Sequence, residues 1–272
     1  MRRLALVAWL GFGFASAPAA TLLPATCNAW DDYIDSALLQ MRQRLDAGAA
    51  FLWIDEAPER LARVKMGEIV VSPVGPQNPK KVPNGLIHDW IGAVFIPGTT
   101  MDDVLHISRD YARYRDWYQP AVADSKSLDA QEDKDRYWML LMNRSVLVRT
   151  AFETEYEVHY VRLNARRAYS IAHTTHVHEV QDYGSDEQSL LPEGTGRGII
   201  WRLFSITRYL ERDGGVYVEF EAMGLSRDIP VSVRWFVDPL VRRVARSSLA
   251  TSLQQTQKAV SHQGELVSKD IH

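Results

Sequence analysis

Val146, Val148, Thr150, Phe152, Thr154, Tyr156, Val158 and Tyr160 take every second position of one segment, with Arg149, Glu153, Glu155, Glu157 and His159 between them. Alternation of that length predicts a long antiparallel strand with one buried face. Residues 168–180 follow as its hairpin partner. A second hairpin is marked more sharply. Segments 199–211 and 216–225 flank Asp213-Gly214, a pair suited to a type I′ turn, whose central residues both need positive φ. That turn sets a register. Arg208 lies opposite Glu219 on one face. On the other face Tyr209 meets Val218, Thr207 meets Phe220 and Ser205 meets Ala222, and Trp201 and Leu203 continue the apolar row. The first face reads as wet and charged, the second as aromatic with a few hydroxyls.

Helical spacing brackets this β region. Trp30, Tyr33, Ile34, Ala37, Leu38, Met41 and Leu45 recur with helical period, acids sit in the first turn and Gly48 ends the pattern, so 29–47 predicts an amphipathic helix. Segment 51–71 predicts one or two strands. Segment 72–85 carries Pro73, Pro76, Pro79 and Pro83 and reads as a long connection. A strand over 86–96 stops at Pro97-Gly98. Thr100-x-x-Asp103 then forms a capping box for a helix with Val104, Leu105, Ile107 and Tyr111 on its apolar side. After Pro230 the pattern is helical again, first through Trp235, Leu240, Val241 and Val244, then through Leu249, Leu253, Thr256 and Val260, with Pro239 kinking or starting the first segment.

That element order, the stretch from Gly85 to Gly98, the Asp110-Tyr111 pair and the run from Gly215 to Pro230 resemble the START-like (SRPBCC, helix-grip) superfamily of polyketide cyclases and lipid-transfer domains, and within it a secreted bacterial branch. The resemblance implies an α+β fold: a curved antiparallel β-sheet gripping a long C-terminal α-helix, here with an extra N-terminal amphipathic helix. It also implies an apolar cavity between sheet and helix, and leaves room for transient membrane contact. Folds host many functions, so no ligand follows from it. The expected division is a leader over 1–19, a helix, strands and Pro-rich loop over 20–83, the helix-grip core over 84–262 as one domain with 29–71, and a tail over 263–272.

Composition narrows the partners. Arg2-Arg3, an apolar run over 4–15 and Ala17-Pro18-Ala19 have the layout of a secretory signal, which predicts an exported, periplasmic or extracellular protein. The apolar run is short for a bilayer span, though retention as an anchor stays open. Cleavage after Ala19 removes two arginines and no acids, taking the net charge from −3 to −5. Nothing here tracks a phosphate backbone, so no nucleic-acid partner is expected. Cys27 is the single cysteine, which rules out an intramolecular disulfide.

Candidate chemistry is sparse. Alternation sets His176 and His178 on one face and His173 on the other, so the three do not converge; His176 and His178, with Glu153 across the hairpin, could bind a metal on the outer face but read rather as surface polar groups, and no metal or cofactor is expected. His173 then shares the inner face with Ile171, Val177 and Tyr156, where it orients a ligand, acts as an acid–base, or is plain core. Glu153, Glu155, Glu157, Glu219 and Glu221 read as solvated sheet surface rather than as paired catalytic carboxylates. The expected ligand wall is Phe152, Tyr156, His173, Trp201, Leu203, Tyr209 and Phe220, closed by Leu249 and Leu253. Three functions fit: a binder or carrier of a lipid or other apolar small molecule, a cyclase- or hydrolase-type enzyme using His173, and an envelope interaction protein.

Overall fold

The computed structural model describes residues 20–144, 149–229 and 231–269, with backbone alone at 143, 144, 149, 231–238 and 263–269. The expected leader over 1–19 lies outside the described residues, as do Val146 and Val148. Among the described residues ten strands form one antiparallel sheet: β1 (Val70–Pro73), β2 (Lys80–Val82), β3 (Gly85–Pro97), β4 (Val122–Ala130), β5 (Lys134–Arg144), β6 (Arg149–Asn164), β7 (Arg167–Gln181), β8 (Ser189–Leu190), β9 (Arg202–Arg212) and β10 (Gly215–Arg227). Their order is β1-β3-β10-β9-β7-β6-β5-β4, with β2 on β3 and β8 on β7. The helices are α1 (Pro24–Gln43), α2 (Pro58–Lys65), α3 (Met101–Arg109), the single turn α4 (Tyr114–Trp117) and the long C-terminal α5 (Val231–Lys269). A curved antiparallel sheet against one long C-terminal helix, with an added N-terminal helix, is the helix-grip architecture.

Local chemistry explains most boundaries. Asp213 and Gly214 both take positive φ, 58° and 77°, and Arg208 pairs with Glu219 across β9 and β10. Thr100 caps α3: its side chain accepts from the Asp103 N–H while the Asp103 carboxylate receives the Thr100 N–H. Segment 51–69 departs from expectation. It forms a 3-10 turn (Trp53–Glu56) and α2, and a strand begins only at Val70. Pro58, fixed in φ and free of the need to donate, starts α2. Pro239 lies inside α5 without dividing it.

The two faces of the sheet have different covers. On the concave face α5 lays Leu249, Leu253, Ala259 and Val260 against Val94, Ile96, Tyr209, Val216 and Val218. Gly92 permits this approach, because a Cβ there would meet Leu253 Cδ1 at 2.8 Å. On the convex face α1 presents Trp30, Ile34, Ala37 and Met41, joined by Leu52, Ile54 and Val64, to Ile87, Ala93, Phe204, Ile206, Tyr217 and Met223.

That cover overturns the expected wet face. Arg208 and Glu219 are 2% and 0% exposed, and Glu221 is buried beside them. Arg208 Nη1 donates to Glu219 Oε1 at 3.0 Å and Nη2 to Glu221 Oε2 at 2.7 Å, while Nε reaches Met41 Sδ of α1 at 3.1 Å. The Ile54 N–H donates to the other Glu219 oxygen at 3.3 Å. Alternation reports which residues share a face and is silent about what lies on it. Glu153, Glu155 and Glu157 do remain on the outer face, partly exposed.

Breaking a buried ion group costs more than replacing it whole. Arg208→Ala, which strands two carboxylates under α1, is expected to lower the unfolding free energy by about 3–5 kcal/mol. The triple variant Arg208→Met, Glu219→Leu, Glu221→Met should lose far less, and urea unfolding of both measures the contrast.

Candidate functional site

The concave wall changes character along its length. Where α5 crosses with Leu249 to Val260, the wall is closed: Val94, Ile96, Val216 and Val218 are no more than 3% exposed. Toward the opposite end Leu203, Ser205 and Thr207 on β9 and Phe220, Ala222 and Gly224 on β10 are only half-buried. Register sets these residues side by side, Thr207 against Phe220, Ser205 against Ala222 and Leu203 against Gly224, with Trp90 across from Ala222 on β3. The strip is apolar with two hydroxyls, the make-up of a site that binds by burial and orients by a few polar groups.

One end of the strip is polar. His88 Nε2 lies 3.1 Å from Ser226 Oγ. Burial, helped by the charge of Arg242 on α5, lowers His88 to about 4, so it stands neutral in ordinary buffers. Nearby, the Trp90 indole N–H is buried without a partner. A buried donor left unpaired costs free energy that an incoming acceptor would recover.

The other flank is a wall of tyrosines. Tyr137 stacks on Tyr111 at 4.3 Å and on Tyr156 at 4.8 Å, and Tyr114 meets Tyr118 edge-on at 4.9 Å. Three tyrosine hydroxyls meet at Ser108 of α3. Tyr114 and Tyr160 both donate to the Ser108 carbonyl, at 2.6 and 2.9 Å, and the Tyr209 hydroxyl points at Ser108 Oγ. Tyr111 donates to Asp135 Oδ2 at 2.8 Å, and the Tyr118 hydroxyl reaches Thr256 of α5 at 2.9 Å. Burial pushes Tyr118 up to about 12 and raises Tyr114, Tyr137 and Tyr160 as well, so these phenols stay protonated and donate.

The expected ligand wall is thus partly assembled. Leu203, Tyr209 and Phe220 are on the concave face with Leu249 and Leu253 opposite. Phe152 and Tyr156 share that face farther along β6, Tyr156 inside the tyrosine stack. Trp201 and His173 are not there. Trp201 precedes β9 and packs with α1 in the convex core, because the alternation that would have placed it inward begins only at Arg202. A β-bulge puts His173 on the same outer face as His176 and His178 instead of the opposite one: Glu155 pairs with His176 but Tyr156 with Thr174, leaving Thr175 as an extra residue. His173 consequently lies opposite Glu157 and Phe204 on the outer side. Burial lowers its pKa, opposed by the Glu157 charge. Sequence reasoning missed His88, Trp90 and Ser226, although period-2 spacing of His88, Trp90 and Gly92 places them on one face of β3.

Behind the same strand sits a second polar feature. Asp89 points to the convex side, where its Oδ2 receives the Tyr33 hydroxyl at 2.8 Å and its Oδ1 has no partner. It floors a pocket of about 320 Å³ between α1 and the loop before β2, together with Glu221 and rimmed by Lys80. Burial, reinforced by the Glu221 charge, raises Asp89 to about 7.

No family model and no curated protein matches the chain. Among solved structures it is similar to a STAR-related lipid transfer protein fragment from Xanthomonas axonopodis (20% identity, 71% of this chain and 97% of that one, TM-score 0.43). It is similar also to human STARD10 (8% identity, 74% and 77%, TM-score 0.45) and to the Zhui aromatase/cyclase from a Streptomyces species (10%, 64% and 94%, TM-score 0.39). Likeness at this level carries no argument about ligand or reaction.

The neighbours His88 and Asp89 make opposite contributions to stability as pH changes. Between about 3.8 and 7 the folded chain holds a proton on Asp89 that the unfolded chain lacks, so this term declines as pH rises. Between about 4 and 6.5 the unfolded chain holds a proton on His88 that the folded chain lacks, so that term grows as pH rises. Asp89→Asn should therefore leave stability climbing across this window, and His88→Gln should leave it falling. Urea unfolding at stepped pH reads both slopes.

Proposed function

We propose that this chain is an exported binder or carrier of a small apolar molecule bearing an oxygen acceptor at one end, held between the concave face of the sheet and the proximal part of α5. The observation that carries this reading is the strip of Leu203, Ser205, Thr207, Phe220 and Ala222. It is left half-buried in a wall that is closed on one flank by α5 and lined on the other by tyrosines. Apolar area moved out of water there contributes roughly 25 cal/mol per Å² before the costs of association. The indole N–H of Trp90 and the His88–Ser226 pair supply polar contacts for the oxygen-bearing end. His173, on the outer face, takes no part.

Ala222→Trp fills the strip from the β10 side. Uptake of a fluorescent fatty acyl probe should be lost while the melting temperature holds. His173→Ala should leave uptake unchanged. A parent protein that takes up no probe, or an Ala222→Trp protein that binds normally, would refute the reading.

Export rests on the leader-like residues 1–19. The N-terminus of the secreted protein is expected near Ala20, and a soluble cytoplasmic form retaining Met1 would count against export.

A further inference from the structure

The bulge at Thr175 puts His176 and His178 on the same outer side as His173. On β7 the inward positions are Ala168, Ser170, Ala172 and Thr174, so uninterrupted alternation would carry His176 and His178 inward too. The extra residue Thr175 reverses the phase, and Val177 goes inward instead. His176 and His178 therefore stand together on the outer side, their rings nearly parallel with centroids 6.4 Å apart. Beside them runs the loop after β8, and it delivers Glu193. His176 Nδ1 is 2.9 Å from Glu193 Oε1, and His178 Nε2 is 3.7 Å from the same oxygen. One ligand atom from each of the three residues falls within 4.8 Å of the others. Ligand atoms about 2.0–2.1 Å from a tetrahedral ion are separated by roughly 3.3 Å, and the 2.9 and 3.7 Å separations from Glu193 bracket that value.

The surroundings prepare the ligands. His178 Nδ1 lies 3.0 Å from the Leu191 carbonyl. A carbonyl only accepts, so Nδ1 carries the proton and the Nε2 lone pair faces Glu193; metal-binding histidines are oriented in this way. The Val177 N–H donates to Glu193 Oε1 at 3.2 Å. The loop is held where Leu190 pairs with Val180 and where the Leu191 N–H donates to the Glu179 carbonyl at 2.9 Å. Glu153 and Glu155, opposite His178 and His176 on β6, add negative charge to the same face, and Glu155 is shared with Arg136 at 3.1 Å. We propose that His176, His178 and Glu193 bind one divalent transition-metal ion of the zinc class, with water completing its coordination. Two imidazoles and one carboxylate favour Zn²⁺, Co²⁺, Ni²⁺ or Cu²⁺ over Mg²⁺ and Ca²⁺, which prefer all-oxygen shells. An ion here ties the Glu193 loop to β7.

The test uses the full chain, free of any polyhistidine tag and stripped with chelator. Calorimetric titration with ZnCl₂ should give one site per chain, and CoCl₂ should give the visible absorption of a low-coordinate ion that ZnCl₂ bleaches. His178→Ala and Glu193→Gln should each weaken Zn²⁺ by at least the roughly 10–100-fold that loss of an outer-shell partner costs. His173→Ala should leave the affinity as it was. Excess MgCl₂ should not compete. Circular dichroism establishes that each variant is folded, and Glu193→Gln, in an exposed loop, decides the matter if the strand variant does not fold. Absence of saturable Zn²⁺ binding, or an affinity indifferent to Glu193→Gln, overturns the proposal.

Discussion

The structure depends on a guanidinium kept out of water. Arg208 sits in the middle of the sheet on its convex side, joined to Glu219 and Glu221 and touching Met41 of α1. Withdrawing such charges from solvent is expensive, and their mutual attraction offsets the cost only when geometry is good and the remaining lone pairs are used. Both conditions need neighbours from elsewhere in the chain: the Ile54 N–H serves Glu219, and α1 forms the roof. The N-terminal segment is thus an integral layer, and the sheet is covered by helices on both sides.

On the concave side α5 decides how much of the sheet is covered. Its distal half packs tightly because Gly92 lets Leu253 approach the sheet. The tyrosines set the other limit. Ser108 and Asp135 bind their hydroxyls, so that wall is fixed by hydrogen bonds as well as by stacking and is poorly suited to yield to a guest. What stays half-buried is the strip around Phe220 and Ala222.

Much of this was legible in the sequence, for physical reasons that also mark where legibility ended. Asp213-Gly214 dictated a turn, the turn dictated a register, and Arg208 fell opposite Glu219 as expected. Thr100 and Asp103 announced the start of α3 through chemistry confined to four residues. Such features are local. The burial of Arg208 was not legible, since it depends on a helix more than 150 residues away in the chain. Nor was the placement of His173. One inserted residue, Thr175, reverses a period-2 pattern without leaving any mark in composition. Segment 51–69 misled because short apolar runs serve helices and strands alike.

Strand β7 carries one more consequence. It pairs with β9 only from Arg167 to His173, and beyond that point its outer edge would be bare. The Leu203 N–H donates to Thr174 Oγ1 at 3.0 Å, Glu193 takes the Val177 N–H, and the short β8 covers Val180 and Gln181. Unpaired strand edges are templates on which other chains can add. The loop over 182–198 therefore covers part of an edge on which another chain could otherwise add. A shortened loop would bare that border, a defect that grows as the protein is concentrated.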